Sequence, residues 1–458
     1  MSVANEPELM LSVEEAQERL LAASGDPLPA EAVSLESALD RVLAESIHSA
    51  VDLPPWDNSS MDGFAVHAAD VATATPASPI RLRVVGEVRA GGSPDLDLPP
   101  GCAVRIATGA RIPSAADAVV PVETTILEEG RSGSTSGSTS GSTSGSQRHV
   151  GFQVGEPLPE ACLVTAGVEP GAFIRRRGKD VRAGTRLLEP HRRVTPAQIA
   201  LAAAVGFDSL RVHRRPVAAV LSTGDELRSA GQPLGDTGIP DANRPGLLAM
   251  CRAEGATGID LGIVPDSFGS IVDSLEQAIQ HSDLLIVSGG VSVGPYDIVR
   301  SAFDAVGQVE LWRVAVQPGK PFAFGRSEPR QSDGRRVLMF GLPGNPVSAL
   351  VTFYLFVRPV LDRLSGLESS SVDRDWAITE ERLEKAAGRR GFLRATVLRD
   401  ERGAPVRDAA GLLRVRMSGD QGSHVLSAMA AADALAIVPE TVDRLEPGAK
   451  VEIRWLQR

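Results

Sequence analysis

The chain has 458 residues, 43 % hydrophobic and 23 % charged, which is enough for about three domains at ~150 residues each. Its formal net charge of −11 excludes bulk nucleic-acid binding through a basic face and leaves anion binding to local pockets. Three scattered cysteines, Cys102, Cys162 and Cys251, form no CxxC pair, which argues against a disulfide framework or structural zinc and for a reducing cytoplasm.

The opening MSVANEPELM is acidic and lacks the basic-then-apolar pattern of a secretory signal. SVEEAQERLL follows, with Ser12 and Glu15 spaced as a capping box and Val13, Ala16 and Leu20 at helical intervals. A second helix is predicted over Leu35 to Leu43. PPWDNSSMDGFAV (Pro54–Val66) has no period and reads as an ordered loop entering a strand. Its Asp57, Asn58, Ser59 and Asp62 serve either that loop or a site shared with another domain. From Arg81 to Thr125 short β runs such as IRLRVVGEV and ADAVVPVE alternate with Gly and Pro, and Thr108-Gly109 falls in a turn between runs. SGSTSGSTSGSTSGS (Ser132–Ser146) is too polar to fold alone and is either an interdomain linker or an expanded loop. RRRGKD (Arg175–Asp180) is a basic cluster that is either a solvated face or a binding patch.

Residues 216 to 365 alternate apolar runs with helix-like stretches, the pattern of an α/β domain with a largely parallel sheet. PVAAVLS ends in Thr223-Gly224-Asp225-Glu226, and a helix is predicted over Arg244 to Glu254. IDLGIV ends in PDS with Asp266, and a second helix is predicted over Gly269 to Gln280. DLLIV ends in SGGVSVGPYD, and VLMFG ends in LPGNPVS before ALVTFYLFVRPVLDRL. The longest apolar run, Ala349–Val357, stops at Arg358, short of the ~20 residues that span a bilayer. Parallel sheets bind ligands beyond the carboxyl ends of their strands, so these loops are expected on one rim. Beyond about Ser369, ALAIVP and KVEIRWL, separated by EPG, read as strands of a small barrel or sandwich.

The SGGVSVGPYD loop admits two readings. Its glycines and the following helix suit a phosphate cradle, although it is neither a P-loop nor GxGxxG. Gly290-Val291-Ser292-Val293-Gly294 also fits the G-x-S-x-G nucleophile elbow, for which His424 is the only downstream His. Asp225, Glu226, Asp266 and Asp297 suit Mg²⁺ next to a substrate phosphate; the alternative is that they cap helices, which for Asp266 alone fits as well as metal binding. Lys320 in PGKP offers a mobile charge for an anion or is a solvated turn lysine. In LPGNP, Asn345 is placed to cap a helix that starts with Pro346.

Together PPWDNSSMDGFAV, RIATGARIPSAADAVV, RRRGKDV, STGDEL, SGGVSVG, QPGKPFAFG and GLPGNPVSALVTF, in this order, resemble the MoeA/gephyrin-E family, with GDQGSH extending the likeness into the C-terminal part. The resemblance implies a discontinuous, elongated, dimerising N-terminal domain (9–53 plus 174–214). It also implies an inserted β-rich domain (54–173, with a flexible loop at 131–149), an α/β molybdopterin-binding domain (215–366) similar to the molybdopterin adenylyltransferases, and a C-terminal β-barrel (367–458). It implies a cytoplasmic enzyme of molybdenum cofactor biosynthesis, binding neither nucleic acid nor membrane, that inserts molybdenum from molybdate into adenylylated molybdopterin with Mg²⁺ and releases AMP. The alternatives within that resemblance are a molybdopterin-binding scaffold and a molybdopterin adenylyltransferase. A homodimer is implied, with DNSSMDG of one subunit completing the cleft of the other, and contact with molybdopterin adenylyltransferase is a further implied partnership.

Mapped onto matching motifs, the resemblance assigns Asp62, Asp180, Asp297 and Lys320 as catalytic. Ligand binding falls to Thr108, Thr223, Gly224, Ser288, Gly289, Gly290, Ser292, Gly294, Pro343, Gly344, Asn345 and Ser423, and metal binding to Asp225, Glu226, Asp266 and Asp297. The chain departs from the family pattern at Arg313 and Gln317, where lysines are frequent, at Lys179, where an acid is frequent, and at Phe64, where Tyr is common. The loss of charge at Gln317 leaves tungstate use open.

Overall fold

The structure, a computed structural model, describes residues 10–128, 157–290, 298–368 and 374–456, so the SGST repeat lies outside the described residues. The chain divides into two compact units, Met1–Glu45 with Glu189–Pro196 and Ser209–Arg458, and Ser46–Leu188 with Ala197–Asp208.

Unit one begins with helix α1 (Val13–Ser24), and its capping box is complete. The Ser12 hydroxyl accepts from the Glu15 N–H (3.1 Å) while the Glu15 carboxylate accepts from the Ser12 N–H (2.8 Å). That backbone donor holds the Glu15 carboxyl below its ordinary value. Val13, Ala16 and Leu20 form the buried face as their spacing predicts. The predicted second helix does not form. Only a 3₁₀ turn, Leu35–Ser37, appears within it, and Val42 and Leu43 instead make extended bridges to Arg193 and Val212. Leu39, which a helix there would have to bury, is exposed. Pairing with distant strands has overridden local helix propensity.

The α/β sheet contains β1 (Val217–Thr223), β2 (Thr257–Val264), β3 (Leu284–Ser288), β4 (Gly307–Arg313), β5 (Pro321–Ser327) and β6 (Leu338–Leu342), in the order β2-β1-β3-β6-β5-β4. The first four are parallel, and β5 runs antiparallel to both its neighbours, β6 and β4, so the sheet is mixed, with a four-stranded parallel part that carries the loops of interest. Along β1, Ala218 and Val220 face one core with Leu247, Leu248 and Cys251 of α2 (Asn243–Ala253). Ala219 and Leu221 face a second core with α3 (Phe268–Ile279) and α4 (Ile298–Val306). Burial on both faces explains the unbroken apolar runs. The register sets Thr223 against Val264, Ser222 against Ser288, and Ser288 against Leu342. Four carboxyl strand ends therefore stand side by side. Beyond β6, α5 (Pro346–Thr352) continues through a π turn (Phe353–Val357) into α6 (Arg358–Leu364).

The C-terminal strands β7 (Arg374–Thr379), β8 (Arg390–Val397), β9 (Leu413–Met417), β10 (Ala434–Val438) and β11 (Lys450–Trp455) pair in the cycle β8-β9-β7-β11-β10-β8. This closed five-stranded barrel decides between barrel and sandwich, and Leu393, Val397, Val415, Ala436 and Ile453 lie in its core.

Unit two holds a six-stranded sheet in the order Ala118–Pro121, Gly63–Val66, Cys102–Ile106, Ile80–Val88, Ala161–Val164, Thr125–Glu128. The run IRLRVVGEV is a strand end to end. Among the described residues no helix is long and apolar enough to cross a membrane. Gly63, directly after Asp62, is pressed against the neighbouring strand, and a Cβ there would lie 2.0 Å from the Val120 carbonyl oxygen. Because the obstacle is backbone, Gly63→Ala is expected to destabilise unit two by about 1–3 kcal/mol, read as a lower denaturation midpoint. A wild-type midpoint would show that this strand pair has slack.

Candidate functional site

On unit one the rim is built from the ends of β1, β2, β3 and β6. The Thr223 hydroxyl donates to Asp266 Oδ1. The Asp266 N–H in turn donates to Asp225 Oδ1 at 3.3 Å, so Thr223, Asp225 and Asp266 are linked. Gly224 is buried, whereas Asp225, Glu226 and Asp266 are exposed. Asp266 does not cap α3, because Ser267 does so by accepting from the Ser270 N–H. The cap reading is thereby removed for Asp266, and its carboxylate faces Thr223 instead. Among the described residues no group of three or more His, Cys, Asp or Glu is arranged to hold a metal ion. Asp225 and Asp266 nevertheless present oxygen donors, the donor chemistry that Mg²⁺ takes with one or two carboxylates. Asp297 lies outside the described residues.

Ser288 ends β3, and Gly289 follows with φ +103°. A Cβ on Gly289 would stand 2.5 Å from the Thr223 carbonyl oxygen, so this glycine is required by the approach of β1. The Gly289 N–H is spent on the Leu342 carbonyl (3.2 Å). Gly290 comes next, and Ser292 and Gly294 lie outside the described residues. Asn243, at the start of α2, fastens this edge. Its Nδ2 donates to Ser288 Oγ (2.8 Å) and to the Gly344 carbonyl (2.7 Å), and its buried Oδ1 has no hydrogen-bond partner among the described residues. Asp241, 3 % exposed, accepts from the Ser222 hydroxyl (3.0 Å) and from the Arg244 N–H and guanidinium, which anchors α2 to β1. Sequence reasoning missed both. The only local signal was a DAN triplet before a predicted helix, which reads as a cap, yet Ala242 occupies the cap position.

Pro343, Gly344 and Asn345 leave β6, and Pro346 takes the first helical position as expected. Asn345 does not cap α5 with its side chain, contrary to the local reading. Its Nδ2 donates instead to Ser423 Oγ (3.1 Å), while the Ser423 carbonyl accepts from the Val347 N–H (3.1 Å). The loop carrying Ser423 is held by Arg394 of β8, fully buried, whose Nη2 donates to the Asp420 and Gly422 carbonyls (3.0 Å each). Burial holds the Arg394 pKa below the ordinary arginine value. Lys320 is half-buried and has no ion-pair partner among the described residues. Gln317 spends its Oε1 on the Ala386 N–H (2.7 Å).

Unit two carries the remaining candidates. The exposed carboxylate of Asp62 accepts from the Thr108 N–H at 2.6 Å, which brings these two together. Asp180 is exposed on the strand-like segment that bridges to Leu53, and only its N–H, donated to the Leu53 carbonyl (3.0 Å), is engaged there. Two arginines of the basic cluster before it are paired with distant carboxylates. Arg177 Nε meets Asp52 (2.5 Å), and Asp57 accepts from the Arg177 N–H (2.8 Å) and the Arg176 guanidinium (2.7 Å). The Ala183 N–H, with Arg177, holds the Asp52 carboxyl below its ordinary value, and the Arg177 N–H, with Arg176, does so for Asp57.

Two outcomes follow. Asn243→Ala removes two hydrogen bonds from the rim and is expected to cost about 1–3 kcal/mol in chemical denaturation; an unchanged midpoint would remove Asn243 as the fastener. The depressed Asp57 carboxyl stabilises the loop fully above its unfolded value near 3.8, and that contribution is lost as pH falls through the lower folded value. Trp56 emission is therefore expected to change on acidification below about pH 4, with Trp56→Phe as the blank, and the change should be absent in Asp57→Asn.

Three family regions match the chain in succession: the MoeA N-terminal region (domain I and II) over residues 11–206, a probable molybdopterin binding domain over 219–363, and the MoeA C-terminal region (domain IV) over 377–456. A molybdopterin molybdenumtransferase of Haemophilus influenzae is 34 % identical over 97 % of this chain and 98 % of that protein. One from Synechococcus elongatus is 33 % identical over 98 % of this chain and 100 % of that protein. The crystal structure of a molybdopterin biosynthesis moea protein from Pyrococcus horikosii superposes with a TM-score of 0.73 at 30 % identity, covering 98 % of this chain and 100 % of that one. The chain belongs to the MoeA family, the family of the molybdopterin molybdenumtransferases.

Proposed function

We propose that this protein is a molybdopterin molybdenumtransferase that takes adenylylated molybdopterin and molybdate, cleaves the link between the two phosphates with Mg²⁺ present, and releases AMP. The observation that carries this reading is the alignment of four carboxyl strand ends, which gathers the Thr223–Asp266–Asp225 set and the Ser288, Gly344 and Asn345 loops on one edge. Cleavage between phosphates calls for positioning and charge neutralisation more than for a protein nucleophile. Asp225 and Asp266 would hold Mg²⁺, with Glu226 next in the chain to Asp225 and with Asp297 assigned by the sequence resemblance, and the ion would supply charge neutralisation at the phosphates. Lys320, half-buried and without an ion-pair partner among the described residues, suits an oxyanion or phosphate as a mobile charge. Hydroxyl and amide donors on Ser288, Asn345 and Ser423 suit molybdate, a tetrahedral oxyanion, better than thiolates would. Gln317, committed to Ala386, acts on this reading as a tie and leaves the oxyanion to Lys320.

The same reading divides the chain into 9–53 with 174–214, 54–173, 215–366 and 367–458, and makes it a cytoplasmic homodimer in which Asp62, Thr108 and Asp180 of one subunit complete the cleft of the other. Molybdopterin adenylyltransferase is the partner that would hand over the substrate. The test mixes purified protein with adenylylated molybdopterin, Mg²⁺ and molybdate and follows AMP. Asp62→Ala and Asp297→Ala are each expected to abolish AMP release with the melting temperature kept. Near-normal turnover in both sinks the site assignment. Tight ligand binding without AMP favours a scaffold, and ATP consumption with free molybdopterin favours adenylyl transfer.

A further inference from the structure

We propose that Phe173 and Ser60 are positioning residues for Asp62, through a clasp in which the left-handed backbone of Phe173 turns its carbonyl onto Ser60. Phe173 has φ +55°, a region that glycine enters freely and an aromatic residue enters against steric resistance. Its ring is 42 % exposed, so core packing is not what holds the backbone there. Strain of this kind persists only where the surroundings over-determine it, and it gathers at functional sites. Here the strained residue's carbonyl accepts from both the Ser60 N–H (2.9 Å) and the Ser60 hydroxyl (3.0 Å).

The clasp closes a short antiparallel ribbon in which Ile174 pairs with Ser59 and Arg175 with Asn58. Ser59, fully buried, ties the same loop to the turn that carries Thr108. Its N–H donates to the Ala110 carbonyl (3.0 Å), and its carbonyl accepts from the Gly109 N–H (2.9 Å). On the far side the Asp62 carbonyl accepts from the Val122 N–H (3.0 Å), and Gly63 is pressed against Val120. Met61 and Asp62 are thus the two residues between the Ser60 anchorage and the Gly63 anchorage. The Asp62 carboxylate points back to the Thr108 N–H at 2.6 Å. An exposed carboxylate needs no such anchorage to be stable in water. What the ties fix is its direction, which is the requirement for a group that acts on a bound molecule.

The chemical use of Asp62 rests on the transferase reading, whereas its placement by the clasp does not. The full chain and its variants Phe173→Val, Phe173→Gly and Ser60→Ala are compared by amide hydrogen exchange at Ser60 and Thr108, and by kcat and KM for AMP release. Valine, branched at Cβ, resists the left-handed region, and glycine adopts it without penalty. Phe173→Val is expected to speed exchange at both amides and to lower kcat roughly 10- to 100-fold with KM kept. Ser60→Ala, which keeps the backbone donor, is expected to speed exchange at Thr108 and to lower kcat by less. Phe173→Gly is expected to keep wild-type exchange and kcat, because the clasp uses the backbone of this residue and not its ring. Wild-type exchange at Thr108 in both Phe173→Val and Ser60→Ala overturns the clasp, and so does a loss in Phe173→Gly equal to that in Phe173→Val. Faster exchange with kcat unchanged overturns the positioning role. A wild type that releases no AMP overturns the transferase reading, and exchange at Thr108 then decides the placement of Asp62 by itself.

Discussion

The in-register ending of β1, β2, β3 and β6 is the constraint from which the rest of unit one follows. Parallel neighbours expose their last carbonyl and amide groups at the same edge, so every connecting loop must begin there. At β1 and β3 the strands end so close that Gly289 meets the Thr223 carbonyl. A side chain on Gly289 would push the strands apart and carry Ser288 away from Asn243. The first glycine of the SGG loop therefore answers to the protein's own backbone before it answers to any ligand. Its N–H, given to Leu342, is not available to a phosphate either.

The edge is also held by polar ties that cross long stretches of chain. Asn243 bridges the loops after β3 and β6, Asp241 anchors α2 to β1, and Asn345 reaches the barrel loop through Ser423. Buried or half-buried polar groups of this kind specify one arrangement because each broken bond leaves a partner unsatisfied. Arg394 extends the logic into the barrel. A fully buried guanidinium is costly to desolvate, and here it fixes two carbonyls on either side of the Gln421 backbone, just ahead of Ser423. The barrel is therefore more than an appended domain. It delivers a hydroxyl to the helix start after β6.

What the sequence made legible was local. The capping box at Ser12, the α/β alternation and the strand IRLRVVGEV each rest on spacings of a few residues, and each is present. What stayed hidden was non-local. Asn345 was read as a cap because its partner Ser423 is 78 residues away. Asn243 works across 45 and 101 residues, and the RRRGKD cluster meets its carboxylates across 119 and 125. The false helix at Leu35–Leu43 failed for the same reason, since Val42 and Leu43 pair with residues that only the folded chain brings near.

Phe64 and Gln317, two positions where the sequence resemblance suggests a departure, sit in different surroundings. Phe64 is fully buried in an apolar cluster with Val66, Leu82 and Val120, where a hydroxyl would need a partner. Gln317 sits in the segment that leads to Lys320. Its amide oxygen is committed to Ala386 near the barrel. A lysine has no acceptor to give and could not make that bond. Gln317 therefore makes a backbone tie that a lysine at this position could not make.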